Sequence, residues 1–425
     1  MPVRERLHDR LDMVAVFEPV SPALLAALPR ALTDLVSTPQ GAALRRRHRA
    51  TRAWGRFGWG DLDALREAAL ASVVQHPAGL TPAELGLRSH QHGYPGIPIT
   101  AHVSGSLLAV MFPHDLFDGS SAWAHLERLF QHAAGTRPGE LLPPLHRPVL
   151  SSVRDAGLLH RSALAAVREV RREAESSTRT PPLTDHDVLP DDGRRLDGLR
   201  QVWLDDSRLG RLATAPASSA DSAPTALDAS HRARRTTTTM RLSSLVIDAA
   251  RKIFPCDKDV RVRMAIDLRR YAPRERRIEG PFSTSYPLGT LRTIDSDPGS
   301  LGRATAAAIA SKAPLAGFAA DMAGWARTRV RHPRGVPAPQ PGRRDFDLVV
   351  STLPTRLPEE FWATDGERLT AAILYHPAQP TDPYVQVAHV RGGVVVSLWD
   401  EAGVTDRDAF AGAFTGLLDE RYPLA

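Results

Sequence analysis

An abrupt change of hydrophobic period in the first third of the chain constrains its fold more than any other feature. Early on, Leu24, Leu25, Leu28, Leu32 and Leu35 recur three and four apart, the spacing of one buried face of an α-helix. From residue 96 the pattern becomes two short apolar runs, 96–103 and 107–112, separated by Ser104-Gly105-Ser106. That composition reads as a hairpin turn between two strands. Helical spacing then returns over 120–132, with Trp123, Leu126 and Phe130 on one stripe and Ser120 or Ser121 as the expected N-cap. Amphipathic elements of both kinds in one stretch must layer helices on a sheet, because each has a face to bury.

The second half repeats the alternation. Beside a first-half strand over 12–17, strands are expected over 201–204, 260–266 and 346–352, with a hairpin of 385–390 and 394–399 around Arg391-Gly392-Gly393. Beside a first-half helix over 62–74, helices are expected over 242–253, 301–313 and 406–418. The stretch 162–175 reads as an exposed helix, 176–193 loses periodicity, and 213–231 is an Ala-, Ser- and Pro-rich loop. At 425 residues the chain exceeds one ordinary core. Two α/β units are therefore expected, residues 1–195 and 196–425.

Composition narrows the function classes. Of 54 basic residues only Lys252, Lys258 and Lys312 are lysines, and the net charge is +6. Arginine in place of lysine reads first as the mark of a GC-rich coding sequence. Its functional reading is a surface that attracts phosphates, such as those of CoA, a phosphopantetheine arm or an acidic carrier protein. The arginines fall in short scattered clusters without a nucleic-acid-binding motif, so nucleic acid is not expected as a partner. Cys256 is the only cysteine, which excludes an internal disulfide and a cysteine-based metal site. No apolar run reaches the roughly 18–20 residues of a membrane span, and no apolar signal core follows Met1. A cytoplasmic protein is expected.

Pro113-His114-Asp115-Leu116-Phe117-Asp118-Gly119 lies between the hairpin and the 120–132 helix. A histidine and an aspartate four apart recur by chance, and spacing alone identifies nothing. Placement is more informative, since a strand end entering a turn projects side chains into a cleft. Gly119 would permit close approach or a positive φ there. Hairpin, His114-x-x-x-Asp118-Gly119 turn and amphipathic helix together resemble the active-site motif of the chloramphenicol acetyltransferase-like superfamily. Condensation domains, wax ester synthase/diacylglycerol acyltransferases and polyketide-associated acyltransferases belong to it. Ala265-Ile266-Asp267-Leu268-Arg269 resembles a second landmark of that superfamily, and Val349-Val350-Ser351-Thr352-Leu353-Pro354 a third. The tail from Leu374 through Gly392-Gly393 to the last helix is similar to its C-terminal strand–strand–helix. Pro113 stands where the family commonly has a first histidine, and Thr352 where it has asparagine.

The resemblance implies two chloramphenicol acetyltransferase-like α/β sandwich subdomains in a V-shaped pseudo-dimer. It implies an acyltransferase that moves an acyl group from a CoA or carrier-protein thioester to the hydroxyl or amine of a small-molecule acceptor, in specialised metabolism. His114 would be the general base, Asp118 a structural carboxylate paired with Arg269, and Gly119 a backbone donor to the oxyanion; Asp118 also reads as an N-cap of the 120–132 helix, and both roles can hold. Ser351 and Trp123 are the candidate substrate contacts. CoA or phosphopantetheine would be a co-substrate, with no tightly bound cofactor, no metal and a monomeric chain. A non-catalytic condensation-like module that recruits a partner, or an enzyme cyclising a tethered peptide, would share these landmarks.

Other conspicuous residues have plainer readings. His90, His92 and His102 match no standard metal spacing and read as loop histidines. Thr236 to Thr239 read as an extended approach to the 242–253 helix. Cys256 has no positioned partner in sequence, and neither Ser121 nor Ser351 lies in a G-x-S-x-G elbow.

Overall fold

The computed structural model describes residues 11–48, 54–58, 60–114, 116–135, 199–214, 230–254, 260–272, 282–320, 347–353, 370–377, 383–390, 393–400 and 405–423. The expected helix over 162–175, the aperiodic 176–193 and Cys256 lie outside them. In the first half, β1 (Leu11–Glu18) leads into α1 (Pro22–Ser37), followed by the short strands β2 (Arg46–His48) and β3 (Trp54–Arg56). Then come α2 (Leu62–Ala71), β4 (Val73–Gln75), α3 (Pro82–His92), β5 (Thr100–Ser104), β6 (Leu107–Pro113) and α4 (Gly119–Ala133). The second half opens with β7 (Leu199–Asp205), α5 (Asp206–Thr214) and α6 (Ser230–Ile253). It continues through β8 (Arg261–Asp267), β9 (Ser283–Thr290), α7 (Pro298–Ala310) and β10 (Asp347–Leu353). It ends in β11 (Thr370–Pro377), β12 (Tyr384–Val390), β13 (Gly393–Trp399) and α8 (Arg407–Arg421).

Among the described residues, two larger sheets carry the fold. One has the order β11-β1-β6-β5-β4 and the other β7-β13-β12-β10-β8-β9. The β5–β6 hairpin turns at Gly105, whose φ of 61° lies in the left-handed region that glycine enters without a Cβ clash. Phe17, Trp123 and Phe130 interlock between β1 and α4, with ring centroids 5.7 Å and 5.9 Å from Phe17. Burying each such ring stabilises the fold by roughly 1.5–3 kcal/mol. In the second half the inward residues of β8, β10, β12 and β13, among them Val262, Val350, Val387 and Val396, form a separate core with α6 and α8.

Several expectations change. The helix expected over 62–74 stops at Ala71, because β-branched Val73 and Val74 pair in parallel with Ala101 and His102 of β5. Thr236 to Thr239 are helical, not extended. Buried Leu242, Leu245, Val246 and Ala249 anchor α6, and that packing overrides the poor helix propensity of threonine. The ends of the expected 213–231 loop belong to α5 and α6. The division at residue 195 is crossed by one strand. β11 pairs antiparallel with β1 over its whole length, so a strand of the 196–425 unit completes the sheet of the 1–195 unit. No helix among the described residues is long and apolar enough to cross a membrane.

Candidate active site

His114 follows the last residue of β6, in a turn closed by the Leu116 and Phe117 N–H groups donating to the Pro113 carbonyl, both at 3.1 Å. The residue keeps part of its surface exposed. Burial of its ring lowers its pKa below 6.5, against a hydrogen bond to its own backbone and the charges of Asp118 and Asp12. A histidine so placed is neutral at pH 7 and able to accept a proton.

Four residues on, Asp118 is fully buried and caps α4. Its Oδ1 accepts from the Ser121 N–H at 2.9 Å and the Ser121 hydroxyl at 2.8 Å, while Ser121 Oγ accepts from the Asp118 N–H at 2.9 Å. This reciprocal capping box makes Asp118 the N-cap, in place of Ser120 or Ser121. It also commits the Ser121 hydroxyl to the cap. Gly119 takes the first helical position with helical backbone, so a positive φ is not its purpose here. Its N–H is among those a helix start leaves without an intrahelical acceptor.

The remaining capacity of Asp118 is met from the second half of the chain. Arg269 Nη1 donates to Oδ2 at 2.9 Å and Nη2 to Oδ1 at 3.0 Å, and the Phe282 N–H donates to Oδ2 at 2.8 Å. Burial alone would raise the Asp118 carboxyl, but Arg269 and these N–H donors hold it well below the usual carboxylate range. Burial works against Arg269 as well. Asp118 and Asp267 outweigh it and hold the guanidinium firmly charged. Asp267, which caps the short 3-10 helix Leu268–Tyr271, accepts from Arg269 Nη1 at 3.0 Å and fixes the arginine from its own side. The turn bearing His114 is thus a point at which the two halves are clasped.

Ser351 lies on β10 and is buried. It sits in register with Gln386 of β12, and Gln386 lies opposite Ser397 of β13, whose Oγ accepts from Gln201 of β7 at 3.1 Å. By strand alternation this polar row shares a sheet face with Trp203, Tyr384 and Trp399. Those three pack with the core of the first half, so the row faces across the seam. Gln386 and Ser397 interrupt otherwise apolar strands, a signal readable in sequence but passed over. Asp267 and the Phe282 N–H were also missed, and a backbone donor has no sequence signature. Trp123, 7% exposed and tilted on Phe17, packs in the core of the first half.

His90 and His92 lie on α3 and His102 on β5, so none is a loop histidine. His102 stacks on His76, with Nδ1 2.9 Å from His76 Nε2, and meets His92 edge-on. Burial, with His76 and His92 adding to it, pushes His102 down to about 3. No group of three or more His, Cys, Asp or Glu side chains among the described residues is arranged to hold a metal ion. Several arginines are structural. Arg45 donates to the Val36, Ser37 and Thr38 carbonyls at the end of α1, and Arg251 donates to the Leu291 and Ile294 carbonyls.

No protein-family model matches the chain, and no curated protein matches it in sequence. Solved structures do match. The chain is similar to a trichothecene 15-O-acetyltransferase from Fusarium sporotrichioides, with a TM-score of 0.64 and 10% identity over 99% of this chain and 94% of that one. It is similar to the first condensation domain of the calcium-dependent antibiotic synthetase in complex with a substrate analogue, at TM-score 0.56 and 14% identity over 98% and 92%. A starter condensation domain of rhizomide synthetase, in complex with C8-CoA and Leu-SNAC, matches at TM-score 0.52 and 13% identity over 100% and 92%. At such identities the likeness is one of fold.

Proposed function

We propose an acyl-transfer function for this chain, whose fold is that of the chloramphenicol acetyltransferase-like and condensation-domain structures. One observation carries the reading. The turn bearing His114 is held in place from both halves, by a capping box on one side and a bidentate arginine on the other. Such bracing supports a reading in which the imidazole at the start of the turn is held for proton transfer.

His114 takes the proton of an acceptor hydroxyl or amine as it attacks a thioester carbonyl. The ring then returns that proton to the departing thiolate. Gly119 offers its N–H to the developing oxyanion at the positive end of α4. Asp118 and Arg269 hold the turn and touch no reacting atom. The donor is an acyl group on CoA or on the phosphopantetheine of a carrier protein, and Ser351 with its polar row faces the substrates. Resemblance to enzymes of antibiotic and trichothecene synthesis supports a place in specialised metabolism. Both halves of one chain build the site, which supports action as a monomer.

A screen of acyl thioesters against alcohols and amines, read by mass and by free thiol, tests this. The expected result is one equivalent of thiol released for each acceptor that gains the acyl mass. Thiol release without an acylated acceptor would mark hydrolysis and overturn the reading.

A further inference from the structure

One face of β8 leads from a pair of arginines towards the turn that bears His114. Val262 and Met264 point into the core of the second half, so by alternation Arg261, Arg263, Ala265 and Asp267 line the opposite face. On β10, Asp347 and Val349 lie in register with Arg261 and Arg263, and Ser351 follows two residues on. This is therefore the face that carries the polar row across the seam. At one end of it Asp267 accepts from Arg269, whose guanidinium grips Asp118.

At the other end two guanidiniums share one carboxylate. Arg261 Nε lies 2.7 Å from Asp347 Oδ1, and Arg263 Nε lies 2.6 Å from Oδ2. Asp347 is 8% exposed, whereas the Arg263 side chain keeps 28% of its surface open. Arg263 Nη1 donates to the Ser285 carbonyl at 3.2 Å and to Ser285 Oγ at 3.4 Å, while Nη2 has no partner among the described residues. A guanidinium fixed on one edge and open on the other suits an oxyanion. Between the two ends lies exposed Ala265, and β9 sets Ser285 opposite it and Ser283 opposite Asp267. From Arg263 to Asp267 the strand covers about 13 Å. The track thus has a cation at its start, small side chains and hydroxyls along it, and the clasped turn at its end.

We propose that Arg263, steadied by Asp347, seats the phosphate of a phosphopantetheine arm, so that the acyl donor lies extended along β8 with its thioester at His114. This rests on the reading of the chain as an acyltransferase with a pantetheine-linked donor. In phosphopantetheine about a dozen bonds of ~1.5 Å separate sulfur from phosphorus, enough to cover that span. The amide carbonyls of the arm pass the Ser285 and Ser283 hydroxyls, which are able to donate to them.

Phosphopantetheine and pantetheine differ by the phosphate alone, and calorimetric titration of the full chain with each reads the seat without turnover. Phosphopantetheine should bind about 10–100-fold tighter, the worth of hydrogen bonds to a charged group. Arg263→Gln should abolish most of that preference. It leaves Asp347 paired with Arg261, so its melting curve should remain cooperative. Arg263→Lys, which keeps the charge without the fork, should fall between the two. Arg66→Gln, at an exposed arginine of α2, removes the same net charge and should keep the full preference. Equal or absent binding of phosphopantetheine beside pantetheine by the full chain, or a preference that survives in Arg263→Gln, would overturn the proposal. An Arg263-dependent preference in a chain that transfers no acyl group would uphold the seat and overturn the acyl-transfer reading instead.

Discussion

Asp118 carries a charge to a place that water does not reach, and the fold meets every lone pair it brings. Separating such a pair costs about 3–5 kcal/mol, because the partner charge is left uncompensated. Asp118→Asn therefore should lose stability of that order together with activity, since the neutral amide cannot hold both arms of Arg269 as acceptor. Thermal melting beside an activity assay checks this. Lost activity at an unchanged melting temperature would instead give Asp118 a direct chemical role. The pH dependence follows from the direction of its shift. A carboxyl held below its unfolded value contributes stability that is complete above about pH 4. That contribution fades only as the pH falls further, so it plays no part in behaviour near neutrality.

Between elements, buried histidines set the response to acid. His102 on β5 is pushed to about 3, by burial first and its histidine neighbours second. His125 on α4 is pushed to about 4, by burial and then Arg128, against its hydrogen bond with the Ser121 carbonyl. Folded, both stay neutral where the unfolded chain binds protons. Stability is thus undiminished above about pH 6.5 and falls as the pH drops, by about 1.4 kcal/mol per pH unit for each histidine. Denaturant unfolding of His102→Gln between pH 6.5 and 4.5 should show a slope shallower by about that amount. An identical slope would mean that His102 protonates freely in the fold. The same elements show what was legible in sequence. Hairpin β5–β6, helix α4 and hairpin β12–β13 announce themselves, because burial of one face writes a local period. The carboxylate at 118 needs a counter-charge, and the superfamily resemblance of the 265–269 segment points to Arg269 as the candidate. The stack of His76, His92 and His102 is not legible, since it joins a strand to a helix by a contact without periodicity. Nor is β4, where three residues are strand only because β5 lies beside them.

Over the whole molecule, the two halves are interleaved as well as apposed. β1 is flanked by β6 on one side and by β11, some 350 residues later in sequence, on the other. Nothing near 370–377 tells which sheet it joins, and this non-local pairing hid the crossing from a local reading. Residues 1–195 expressed alone should lack both the edge strand of their sheet and the guanidinium of Asp118, leaving β1 exposed as an aggregation-prone edge. Circular-dichroism melts should show no cooperative transition for that fragment. A sharp transition matching the full chain would show that the halves fold independently. Interleaving also places His114 beside a turn that both halves grip through one carboxylate. The most direct measurement compares turnover of an acyl thioester and its acceptor by the full chain and by His114→Gln at pH 7, with matched melting curves. A loss of about 10²–10⁴-fold in kcat is predicted, the range a positioned general base contributes; turnover undiminished in the variant would contradict the account.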